Sequence, residues 1–112
     1  MRVPRRGLAL LAGAALAAAS ACSPATPPAA KTYHVILKDL MFGPLPAQAR
    51  VGDTIEWDND DLFLHSATSA AGGFDVDVKA GAHVPMPLTR AGTFDFICKY
   101  HPGMKGRLVV SP

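Results

Sequence analysis

Seven residues near the end of the chain carry its most specific chemistry: Cys98-Lys99-Tyr100-His101-Pro102-Gly103-Met104. They place a thiolate, an imidazole and a thioether at the spacing Cys-x2-His-x2-Met. As ligands these are two strong donors and one soft, weak donor. The set suits copper, which imidazole and thiolate bind well and for which a Met sulfur is the usual long axial partner. So short a segment surrounds one ion only by turning sharply, and Pro102-Gly103 is the expected turn. A second imidazole must come from elsewhere, and His65 is the best candidate. Singly, each residue has a plainer reading: a small buried hydrophobe for Cys98, a core filler for Met104, a surface loop residue for His101. The spacing of the three, directly after a strand-like run, favours the metal.

The elements that must hold these residues show a period of two. Val35 and Leu37 alternate with His34 and Lys38, and Ile55 and Trp57 with Thr54, Glu56 and Asp58. Phe74, Val76 and Val78 alternate with Asp75, Asp77 and Lys79, while Val84, Met86 and Leu88 alternate with His83 and Thr89. Phe94, Phe96 and Cys98 share one face opposite Asp95, and Leu108 and Val110 alternate with Arg107 and Ser111. One apolar face per run is the pattern of antiparallel sheets with one side in water. Turn signals separate the runs: Gly43-Pro44, Gly52-Asp53, Gly72-Gly73, Ala80-Gly81 and Ala91-Gly92. The expected fold is all-β, two sheets packed face to face. In that register the Cys98 sulfur points inward. A buried thiolate without a cation is costly, and a copper ion there removes the cost.

The first 22 residues read as a separate export signal. Arg2, Arg5 and Arg6 precede an apolar run from Leu8 to Ala19, and Ala19-Ser20-Ala21 is a small-residue cleavage site. The apolar run is too short to span a bilayer. Ending at Cys22, the segment resembles a bacterial lipoprotein box, with Ala19 where Leu is usual. Lipidation of Cys22 would tether the protein to a membrane. Arg5-Arg6 leaves twin-arginine export open beside the general route. Residues 23–30, rich in Pro, Ala, Ser and Thr, read as an extended linker, and residues 31–112 as one folded domain. All nine acidic residues but only eight of the eleven Lys and Arg follow the signal, so the mature chain carries one net negative charge. That excludes the basic-patch argument for nucleic-acid binding. Cys98 is then the lone thiol of the domain, and metal ligation accounts for it.

With these segments in order, the chain resembles the cupredoxins, the blue copper proteins of the plastocyanin, amicyanin and pseudoazurin group. The likeness rests on Met41-Phe42-Gly43-Pro44, on Val51-Gly52-Asp53-Thr54-Ile55-Glu56-Trp57, on Asn59-Asp60-Asp61 through His65 to Thr68, and on Gly92-Thr93-Phe94-Asp95-Phe96-Ile97-Cys98. Two residues between His101 and Met104, rather than four, match amicyanin. The resemblance implies a Greek-key β-sandwich of about seven or eight strands. It implies one copper ion, Cu(I)/Cu(II), held by His65, Cys98, His101 and axial Met104, and one-electron transfer between redox proteins outside the cytoplasm. Ser66 stands where many members have Asn. Its backbone N–H could still bond the Cys98 sulfur, but the side-chain tie between the two ligand loops is in question.

His34 and His83 read as solvated histidines on outward faces, and Trp57 and Met86 as core. Met41, Phe42, Leu45 and Pro46 with Pro102 and Gly103 could form an apolar docking patch around His101. Lys99 and Lys105 flank the loop and could steer an acidic partner. The reading is a periplasmic or otherwise exported monomeric electron carrier. A copper carrier or resistance protein that delivers its ion is the alternative. Four candidate protein donors leave no open position for a catalytic metal, so no enzyme is expected. Zinc would take Cys and His but gives Met104 no role.

Overall fold

The alternating runs become nine strands in the computed structural model, which describes residues 2–4, 7, 12–15 and 28–112. The signal features at Arg5, Arg6, Ala19-Ser20-Ala21 and Cys22, and most of the expected linker, lie outside the described residues. The strands are β1 Thr32–Lys38, β2 Met41–Phe42, β3 Ala49–Arg50, β4 Thr54–Asn59, β5 His65–Ser69, β6 Phe74–Val78, β7 His83–Pro87, β8 Gly92–Cys98 and β9 His101–Ser111. Among the described residues there is no helix. The count exceeds seven or eight because β2 and β3 are two-residue strands, each too short for a period to register.

Two sheets form the sandwich, in the orders β2-β1-β4-β7 and β3-β9-β8-β5-β6. The expected antiparallel pairing holds except at two places. β1 runs parallel to β4, from Thr32 opposite Thr54 to Leu37 opposite Asn59, and β3 runs parallel to β9. Alternation specifies which face of a strand is buried and not which way it runs, so these pairs were invisible to the pattern.

The apolar faces meet between the sheets. Val35, Leu37, Ile55, Trp57, Phe94, Phe96, Leu108 and Val110 are all buried there, as is Met86. Phe42, Trp57 and Phe96 form an edge-to-face trio with ring centroids 4.7–5.9 Å apart. Such pairs add about 0.5–1.5 kcal/mol each beyond area burial. Phe96 lies two residues before Cys98 on the same face, so this trio stiffens the strand that ends at the thiol. Gly106 pairs with Phe96 across β8 and β9, and a Cβ on it would collide with that ring.

At the far end Asp53 closes the fold. Its two carboxylate oxygens each accept a backbone N–H at 2.9 Å, from Lys31 and from Arg50. These bonds hold its carboxyl below the usual carboxylate range. A folded pKa below the unfolded one means that this contribution is present above pH about 4 and is lost as pH falls through the folded value. Asp53→Asn is therefore expected to lower the urea midpoint at neutral pH, and to make it less sensitive to acid than in the wild type. Equal acid sensitivity of the two proteins would remove Asp53 from the account.

Candidate metal centre

Three strands of the second sheet bring the candidate donors together. Cys98 ends β8, fully buried and pointing inward as its register requires. His65 is the first residue of β5, a strand the alternating pattern does not mark, and is also fully buried. Residues 65–69 are almost all buried on both faces and include only one apolar side chain, Ala67, so they show no alternation. His101 opens β9 and is only partly buried. The Nδ1 atoms of His65 and His101 lie 3.8 and 3.7 Å from Cys98 Sγ. Two donors about 2.0–2.3 Å from one ion and about 120° apart would sit about 3.5–3.8 Å from each other. The two sulfur–nitrogen distances match that spacing, and the three donor atoms lie within 4.8 Å of one another.

The turn lies elsewhere than expected. Cys98 pairs directly with His101, so Lys99-Tyr100 makes the turn, not Pro102-Gly103. One step back, Ile97 pairs with Lys105. Pro102, Gly103 and Met104 are therefore extra residues on β9 and bulge from the ladder. Met104 is buried within the core cluster that includes Cys98.

Hydrogen bonds fix the donors. His65 Nε2–H donates to Asp61 Oδ2 at 2.7 Å, which leaves Nδ1 free to face Cys98. Asp61 Oδ1 and Oδ2 also accept the backbone N–H groups of Asp39 and Leu40 at 2.7 and 3.0 Å. Those two residues have φ of 53° and 57°, a left-handed turn that Asp39 tolerates and Leu40 does not favour. Burial pushes the Asp61 carboxyl up, but the bonds from His65, Leu40 and Asp39 outweigh it and hold it below its ordinary value. Asn59, fully buried, shapes the loop before His65. Its amide donates to the Phe63 and Val78 carbonyls, and its oxygen accepts from Asp61 N–H.

Ser66 N–H reaches Cys98 Sγ at 3.4 Å. A side-chain tie between the two ligand segments is present through Ser66. Lys99 N–H donates to Ser66 Oγ at 2.9 Å, Ser66 Oγ lies 2.8 Å from Thr68 Oγ1, and Thr68 donates to Asp75. A hydroxyl thus joins the two ligand segments.

The surface around His101 differs from expectation. Phe42 and Leu45 pack against the core, leaving Met41, 64% exposed, with Pro102 and Gly103. Leu62, Phe63 and Leu64 are instead exposed, Leu62 at 93%, and the Phe63 ring lies 6.1 Å from the His101 ring. The run Leu62-Phe63-Leu64, apolar and outside any alternating segment, is the sequence signal for this patch. Lys99 does not present a free charge: its ammonium pairs with Asp75 and Asp77 at 3.0 and 3.1 Å, tying the turn to β6. Tyr100 Oη–H donates to Asp77 beside it. Lys105 remains exposed.

Residues 9–110 match the family described as the cupredoxin-like domain. Amicyanin-alpha of Methylorubrum extorquens is 31% identical over 108 residues, covering 91% of this chain and 90% of that protein. Amicyanin of Paracoccus denitrificans is 33% identical over 67 residues, 54% of this chain and 51% of its own length. Among solved structures, a Cu(I) form of an amicyanin variant superposes with a TM-score of 0.63 at 28% identity, over 74% of this chain and 85% of that one. An oxidised amicyanin variant gives 0.62 at 28% identity, over 71% and 82%. A sandwich of this topology, a buried thiol flanked by two imidazoles, and a match across nearly the whole sequence agree: the chain belongs to the cupredoxin-like family, with amicyanin-like features.

Proposed function

We propose that this protein is an exported single-copper electron carrier. The observation that carries the reading is the buried Cys98 sulfur with the Nδ1 atoms of His65 and His101 3.8 and 3.7 Å away. When bound, copper supplies a one-electron couple, Cu(I)/Cu(II). Cys98, His65 and His101 would hold the ion, and the buried Met104 would supply a fourth, softer donor. Asp61, Ser66 and Asn59 hold the donors in place, so little rearrangement accompanies a change of charge. His101 is the ligand nearest solvent, and the electron leaves through its edge. The exposed Met41, Leu62, Phe63, Pro102 and Gly103 offer an apolar contact for a larger redox partner. The signal reading of residues 1–22 supports a periplasmic or membrane-tethered location.

Redox titration with a Cu(I) chelator present tests this reading. A carrier of electrons keeps its copper through repeated cycles. Loss of the ion on first reduction would favour delivery of copper instead. In the same experiment Met104→Leu is expected to raise the potential by on the order of 60 mV or more, since removing the soft axial donor disfavours Cu(II) more than Cu(I). That shift corresponds to a tenfold change in relative affinity for a one-electron couple. Met104→Gln is expected to lower the potential. A potential unmoved by either substitution would remove Met104 from the site.

A further inference from the structure

The outer face of the first sheet carries a second set of metal-type donors, on strands that contribute no candidate ligand to the centre at Cys98. Glu56 and Asp58 lie two residues apart on β4 and share its outer face, opposite buried Trp57. The parallel pairing of β1 with β4 sets His34 opposite Glu56, and the antiparallel pairing of β7 sets His83 opposite Asp58. Two imidazoles and two carboxylates from three adjacent strands therefore converge. His34 Nδ1 lies 2.9 Å from Asp58 Oδ2 and 3.4 Å from Glu56 Oε1. His83 Nδ1 lies 2.6 Å from the other Asp58 oxygen and 3.8 Å from Glu56 Oε1.

The geometry points to a divalent transition-metal site formed by His34, Glu56 and Asp58, with His83 holding Asp58 in orientation. The donor atoms of the first three lie mutually within 4.8 Å. Donors about 2.0–2.2 Å from a tetrahedral ion are about 3.3–3.6 Å apart, so an ion can replace the proton shared by His34 and Asp58 without a shift of backbone. Two carboxylates fixed on one face repel each other, and a divalent cation offsets both. The nitrogen and oxygen donors, without sulfur, select a borderline cation such as Zn2+ or Cu2+. Water fills the remaining positions, since His34 and His83 are 59% and 60% exposed. His83 stands where an outer partner of a ligating carboxylate belongs.

The four histidines of the chain make the site directly readable. Zn2+ is titrated into the full chain while the ring resonances of His34, His65, His83 and His101 are followed by NMR. His34 and His83 are expected to shift together and to saturate with one equivalent at micromolar Zn2+, whatever His65 and His101 do. This readout stands apart from the copper reading. His34→Gln and Glu56→Gln, both at solvent-accessible positions, are each expected to weaken this binding at least tenfold. His83→Gln is expected to weaken it less than either. His34 and His83 signals that move only at millimolar Zn2+, or binding unchanged in both His34→Gln and Glu56→Gln, would overturn the proposal.

Discussion

Cys98→Ser is expected to remove most of the stabilisation that copper confers while leaving the apo fold almost unchanged. The substitution is close to isosteric, and Ser66 N–H, which reaches the sulfur at 3.4 Å, can donate to the new oxygen. The strand below is held by Phe96 and its aromatic neighbours and not by the thiol. A ligand that binds only the folded state adds about 2.7 kcal/mol at one hundred times its Kd. For a domain of this size that is a Tm rise of about 10–20 °C. The wild type is expected to show it on addition of copper. Cys98→Ser, having lost the thiolate, is expected to show a small fraction of it at the same concentration. Thermal denaturation with and without copper measures both. Equal copper-induced shifts in the two proteins would mean that the ion binds elsewhere.

Asp61→Ala is expected to produce two losses at once. His65 loses the acceptor that fixes its ring and leaves Nδ1 toward Cys98. Removal of such an outer partner costs about 10–100-fold in metal affinity. The turn at Asp39 and Leu40 also loses the acceptor of both its backbone N–H groups. Water reaches those groups, so the stability cost is modest, about 1–2 kcal/mol. Asp61→Asn keeps one acceptor oxygen and is expected to fall between alanine and wild type. Copper affinity by competition and urea denaturation of the apo protein separate the two effects. Unaltered affinity in Asp61→Ala would show that the His65 ring is positioned by packing alone.

Asp61 also marks where sequence reading stops. The inward face of β8 was legible because Phe94, Phe96 and Cys98 alternate with polar residues, and that alternation placed the thiol in the core. The candidate donors His65, Cys98 and His101 were named from residue type and spacing, and the fold brings them together. The position of the turn was not legible, because Pro102-Gly103 is a strong turn signal wherever it stands. Only the ladder shows that it bulges from β9 after a turn at Lys99-Tyr100. The roles of Asp61, Ser66 and Lys99 depend on contacts between residues distant in sequence, at 22, 33 and 24 positions' separation. So does the cluster at His34 and His83, which face solvent as expected and are also joined through Asp58. No local period encodes a parallel register.

The visible absorption spectrum of the oxidised, copper-loaded chain tests the central claim most directly, that the Cys98 thiolate would hold copper together with His65 and His101. Charge transfer from a thiolate to Cu(II) in that geometry gives an intense band and a deep blue protein. The expected result is that band, at one copper per chain. A pale solution with only the weak absorption of Cu(II) held by nitrogen and oxygen would contradict it.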